Sequence, residues 1–123
     1  MSSVNEVHKV IQAIMASNKE ARKRNDYIKL IENGFAVLEY VSTLIEIKID
    51  SEGKYRQLEA SELDRLMDTK GRNGIAETNA KASQPYQDLL HATDLIELCY
   101  NMINIAKLLA RGIDKELQAT PNR

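Results

Sequence analysis

The residue types that most often carry chemistry are scarce in this chain of 123 residues, which has two histidines and one cysteine. His8 and His91 lie far apart, each on a segment with helical periodicity, and neither fits a metal-ligand spacing such as two histidines at i and i+4. We interpret both as surface or boundary residues. Cys99 lies between Leu98 and Tyr100 in an apolar run. No neighbouring base is present to lower its pKa, so we predict a buried structural thiol.

Acidic residues form a cluster and a heptad series. The cluster is Glu59, Glu62, Asp64 and Asp68, and the series is Glu32, Glu39 and Glu46. Together they resemble the acidic helices of the all-α nucleotide pyrophosphohydrolases, which hold Mg²⁺ with carboxylates from neighbouring helices. The adjacent glutamates of that family's motif are missing, which favours a solvated face. A carboxylate-metal hydrolase stays a third hypothesis; we predict no enzyme, no catalytic residue, no metal site and no cofactor.

Basic residues form two clusters that could contact phosphates. The first is Lys19, Arg22, Lys23 and Arg24, and the second is Lys70 and Arg72, beside two glycines that allow close backbone approach. The alternative is a solvated linker for the first and an ordinary turn for the second. If a fold exposes either cluster, counterion release on phosphate binding would drive nucleic-acid contact. We take these six residues as the candidate nucleic-acid site.

Composition indicates a folded, water-soluble chain of one domain spanning residues 1–123. Hydrophobic residues make up 43% and charged residues 28%, and the net charge of −1 provides no global attraction to nucleic acid or anionic membranes. The lone cysteine fits a reducing compartment. No signal peptide and no run of 18 apolar residues is visible, so we expect a cytoplasmic protein without a membrane partner.

The strongest helical signal runs from Ser83 to Gly112. Ser83 is a suitable N-cap, and Gly112 could take the left-handed conformation that ends many helices. Two adjacent apolar stripes follow this helix, a wider surface than one neighbour can bury. We predict that one stripe forms the interface of a homo-oligomer. That stripe is Leu95, Leu98, Met102, Ile105 and Leu109.

The rest of the chain also favours helices. A first helix is predicted to about Ser17, followed by a polar stretch that is a linker or a solvated continuation, and a second over residues 27–49. Ile45, Ile47 and Ile49 alternate with polar residues, so a short β-hairpin over residues 44–58 is the alternative. A third helix is expected over residues 55–69, an early start of the last helix over 75–82, and a disordered tail from about 118. The prediction is an all-α bundle of three to four helices, two of them long.

This layout resembles the small phage recombination mediators, which load a recombinase onto single-stranded DNA. The resemblance rests on a glycine-basic-glycine break at residues 71–74 and a final helix with Tyr86, Cys99 and Arg111-Gly112. It implies a helical, ring-forming, non-enzymatic protein that binds single-stranded DNA or a recombination protein. The chain departs from that family in being slightly acidic. The alternative function is a protein–protein module, an adaptor or inhibitor that binds its partner through an apolar helical face.

Overall fold

The computed structural model describes residues 3–119, with side chains over residues 3–113. Five helices fill this part of the chain and no strand occurs in it, which confirms the all-α prediction and shows that the β-hairpin alternative was wrong. The helices are α1 (Val4–Lys23), α2 (Tyr27–Ala36), α3 (Leu38–Arg65), α4 (Arg72–Lys81) and α5 (Gln84–Ala119).

Helix α1 starts at a serine cap and continues through the polar stretch that could have been a linker. The Ser3 hydroxyl accepts a hydrogen bond from the Glu6 N–H at 3.2 Å, which satisfies one free donor of the first turn. The helix extends to Lys23 because its buried face extends with it, to Asn18 and Ala21. The chain then reverses at Asn25, whose φ is 55°.

Helices α2 and α3 replace the helix predicted over residues 27–49 and the third helix predicted over residues 55–69. They meet at Val37, which is fully buried and has φ −70° and ψ −16°. The alternating isoleucines do not form a strand, because Ile47 is buried whereas its neighbours at 45 and 49 face solvent. Helix α3 passes through Gly53, supported by a 3.0 Å ion pair between Lys54 and Asp50 one turn apart.

The predicted break after the third helix is present. Gly71 has φ 74°, a left-handed conformation that favours glycine, and the turn leads into α4. Helix α4 buries Ala76 and Ala80 and is held to α3 where Asn79 donates to the Glu62 carboxylate at 3.2 Å. The expectation that residues 75–82 begin the last helix was therefore wrong, because they form a helix of their own.

Helix α5 begins where the serine cap was predicted and ends later than expected. The Tyr86 N–H donates to the Ser83 hydroxyl at 3.4 Å. Gly112 lies inside the helix, so it does not end it, and the helix is described to Ala119. The remainder of the predicted disordered tail, residues 120–123, lies outside the described residues.

Helix α1, the broken helix α2–α3 and helix α5 pack pairwise into a bundle around one apolar core. Asn33 of α2 and Met102 of α5 both contact Asn18, near the end of α1. His8, near the start of α1, contacts His91, near the start of α5. Helices α1 and α5 therefore run parallel, and α2–α3 runs antiparallel to both.

Candidate functional site: the groove between α1 and α5

A groove of about 470 Å³ follows the contact between α1 and α5, and we call it the α1–α5 groove. Its lining residues are Met15, Asn18, Lys19, Arg22, Leu98, Asn101, Met102 and Ile105. Steps of three and four residues place each helix's contribution on one face. Leu98 is half-buried and Met15 and Ile105 are exposed, so the groove presents apolar surface beside two cations.

The first predicted basic cluster is divided by the fold. Lys19 and Arg22 line the α1–α5 groove. Lys23 forms an exposed ion pair with Glu20 at 3.4 Å, and the N–H of Arg24 caps the end of α1. Among the described residues neither groove cation forms an ion pair, so both are available to a ligand.

The second predicted basic cluster lies at the other end of the bundle. Lys70 and Arg72 are exposed at the turn between α3 and α4. Asn33 touches Asn18 beside the groove, and Arg65 lies near this turn. The part of α2–α3 between these two residues is about 50 Å long at 1.5 Å per residue. The six predicted nucleic-acid residues therefore do not form one surface in a single chain.

The predicted oligomer interface is also divided. Leu95 and Met102 are 5% and 7% exposed and belong to the chain's own core, so they cannot provide an exposed interface. The two stripes of α5 are wide because α5 contacts each of the other four helices. Leu98 and Leu109 remain half-buried, and Ile105 is exposed. These three side chains remain candidates for contact with another molecule.

A polar network that the sequence reasoning missed lies beneath the groove. Asn33 donates from Nδ2 to Asn18 Oδ1 at 2.9 Å and to the Ser17 hydroxyl at 3.0 Å. Asn18 in turn donates to the Met102 sulfur at 3.4 Å. Both asparagines are buried. The available signal was that Asn18 stands seven residues after Ile11, on the apolar face of α1.

The two histidines, predicted as separate surface or boundary residues, contact each other across α1 and α5. His91 Nε2 lies 2.8 Å from His8 Nδ1, and both rings are half-buried. One ring must donate and the other accept, so the contact requires at least one neutral ring. No sequence spacing indicates this pair, because it arises only from the parallel packing of two distant helices.

The groups considered for catalysis do not converge. No three side chains of His, Cys, Asp or Glu come together as metal ligands within the described part of the chain. The Arg65 side chain donates to the Glu62 carboxylate and, with Asn79, lowers the pKa of that group. Cys99 is fully buried, as predicted, and burial raises the pKa of its thiol. These environments fit structural roles for both groups.

A depression larger than the groove lies at the other end of α1. It measures about 670 Å³ and is lined by residues of α1, α3 and α5, including Asp50, Lys54 and Asp88. Lys54 and Asp50 pair with each other at 3.0 Å, which leaves the depression without an available cation from that pair. The α1–α5 groove, in contrast, unites residues from the predicted nucleic-acid site and the predicted oligomer interface.

No protein-family model, curated protein or solved structure matches this chain. In the described part of the chain, no helix combines the length and the apolar character needed to cross a lipid bilayer. Function is therefore inferred from the chain's own surfaces.

Proposed function

We propose that this chain is a non-enzymatic helical accessory protein of phage-type DNA metabolism that binds single-stranded DNA in the α1–α5 groove and works as a homo-oligomer. One observation carries the proposal. Lys19 and Arg22 belong to the predicted nucleic-acid site, and Leu98 and Ile105 belong to the predicted oligomer interface. All four line the same groove.

A single strand presents the two chemistries that this groove matches. Its phosphates attract Lys19 and Arg22, and each contact releases condensed counterions. Its unpaired bases offer flat apolar faces that can lie against Met15 and Leu98. Sequence-independent binding of single strands commonly combines a basic groove with such surfaces. Because the groove holds no aromatic side chain for stacking, we expect modest affinity governed mainly by salt.

The first prediction concerns the double substitution Lys19→Ala, Arg22→Ala. We expect weaker binding of a fluorescent oligothymidine and a plot of log affinity against log salt that is flatter by about 0.7 for each lost phosphate contact. Fluorescence anisotropy over a salt series measures both. The matched control is Lys70→Ala, Arg72→Ala, which removes the same two charges at the far end of the bundle. Equal losses in the two variants would mean that only total charge matters and would contradict the groove assignment.

The alternative function favoured by the apolar side of the groove is a protein–protein module. An amphipathic helix edged by Asp or Glu could place its apolar face on Leu98 and Ile105 and its charges beside Lys19 and Arg22. Wild-type protein that binds no oligothymidine even at low salt would remove the nucleic-acid proposal and leave this one.

The second prediction concerns self-association. We propose that copies of the chain meet along α5 at the exposed Ile105 and the half-buried Leu109, and we expect a mass above 13.9 kDa at tens of micromolar. Ile105→Ser should reduce that mass, because it removes exposed apolar area. Light scattering measures it, and Met67→Ser, at an exposed methionine after α3, is the matched control. A wild-type mass of one chain across this concentration range would contradict the proposal.

A further inference from the structure

A second surface, distinct from the groove, follows the outside of the broken helix α2–α3. We call it the α2–α3 stripe, and it consists of Ile28, Phe35, Leu38, Ile45 and Ile49. All five side chains are exposed, Ile28 at 58% and Ile49 at 65%. Their spacing of seven, three, seven and four residues is the a/d pattern of a coiled coil.

Among the described residues, the stripe lies outside the apolar core. The buried residues of α2 and α3, including Leu30, Val41, Leu44 and Ile47, belong to the other side of these helices and face the bundle. The stripe crosses the break at Val37, so a partner helix would contact two helical segments, α2 and α3. Five of the seven a/d positions from 28 to 49 carry these exposed apolar side chains, whereas Ile31 is half-buried and Ser42 is polar. An exposed apolar stripe with this spacing is the geometry of a helix-docking face.

One edge of the stripe is acidic. With Ile28 assigned to position a, the series Glu32, Glu39 and Glu46 falls at position e of three successive heptads, and all three are exposed. Glu32 also lies 3.7 Å from Lys29, an exposed pair that water screens. The opposite edge, at position g, includes Gly34 and Val41, which are buried against the bundle. The third g position is Lys48, which is half-buried, so a docked helix meets three glutamates on one edge and a single cation on the other.

We infer that the α2–α3 stripe binds an amphipathic helix of another protein, with apolar a/d residues and a lysine- or arginine-rich edge. Charges at positions e and g choose coiled-coil partners, so three glutamates in register select a basic edge. A second copy that paired through the same stripe would bring its glutamates against these in an antiparallel arrangement. In a parallel arrangement, the glutamates of each copy would lie against the g edge of the other copy, where Gly34 and Val41 are buried.

Two synthetic three-heptad peptides test the inference, both with leucine at a and d. One carries lysine at e and g and the other carries glutamate, so like charges keep each peptide from pairing with itself. We expect the lysine peptide to bind the full chain about tenfold more tightly than the glutamate peptide at low salt. Titration calorimetry measures both affinities.

Matched variants separate a specific face from general attraction. Leu38→Ser, Ile45→Ser should abolish binding of the lysine peptide. Leu90→Ser, Leu108→Ser, at exposed leucines on α5, should leave it unchanged. Replacing the three glutamates by lysine should reverse the peptide preference, and replacement by glutamine should abolish the preference if the lysine variant does not fold.

Three results would overturn the inference. Equal binding of the two peptides would show that the glutamate edge does not select a partner. Equal effects of the stripe and control variants would show that the stripe is not the docking face. A fall in the mass of the chain on stripe substitution, without peptide, would identify a second copy as the occupant. Each can occur whether or not the α1–α5 groove binds single-stranded DNA.

Discussion

Replacing Gly34 by alanine should lower the free energy of unfolding by about 1–3 kcal/mol, the usual cost of forcing extra volume into a packed interior. Gly34 lies where α2 crosses α5. A Cβ atom there would overlap the Cβ of Ala106 and approach the Met102 carbonyl oxygen at 2.9 Å. Backbone and a short side chain cannot move aside as a long flexible side chain can. The helices would have to separate, which loosens the contact between α2 and α5.

Gly53 provides a control of opposite sign. It also lies inside a helix, but a Cβ atom built on it meets nothing within 4 Å. Gly53→Ala should therefore raise the free energy of unfolding by about 0.5–1 kcal/mol, because alanine loses less backbone freedom in a helix. Urea unfolding followed by circular dichroism measures the free energy of unfolding of both variants.

A compensating substitution identifies the mechanism. Ala106→Gly removes the atom that the new Cβ would overlap, so Gly34→Ala, Ala106→Gly should recover part of the lost stability. The recovery is partial because a second helix then contains glycine and the Met102 carbonyl remains close. If Gly34→Ala and Gly53→Ala both stabilised the chain equally, the close crossing of α2 and α5 would be absent in solution.

Helix ends with a local cause could be predicted from the sequence. Ser83 caps α5 with its own hydroxyl, and Gly71 breaks the chain with its own backbone, so neither needs a distant partner. Gly112 and Gly53 carried the same local signal but lie inside helices. A glycine inside a helix costs only about 1 kcal/mol, which favourable contacts of the flanking residues can outweigh.

The candidate site could be predicted only in parts. The residues of both basic clusters were visible in the sequence, and so was the apolar stripe that contains Leu98 and Ile105. Their meeting with Lys19 depends on α1 and α5 running parallel, which no local pattern specifies. The same packing brings His8 to His91 and separates Lys70 from Lys19. Long-range order of this kind depends on shape complementarity across the core, as at Gly34 and Ala106.

The buried asparagine pair beside the groove is expected to be strongly coupled. Asn33→Ala should lower the free energy of unfolding by about 1–3 kcal/mol, because Asn18 Oδ1 then loses its 2.9 Å donor in the interior. Asn18→Ala should cost a similar amount, since it removes the acceptor of Asn33 and the contact with the Met102 sulfur. Urea unfolding curves of the two alanine variants measure both costs.

The double variant Asn18→Leu, Asn33→Leu decides what these residues contribute. Replacing both partners by apolar groups leaves no unpaired polar atom in the pair, so its cost should be smaller than the sum of the two single leucine variants. A stable double variant would remain suitable for the oligothymidine titration. If it binds less tightly although Lys19 and Arg22 are intact, the pair also contributes to binding, because Asn18 itself lines the groove. Additive costs of the two leucine substitutions would contradict the coupling, and the 2.9 Å hydrogen bond would then be replaced in solution by contacts with water.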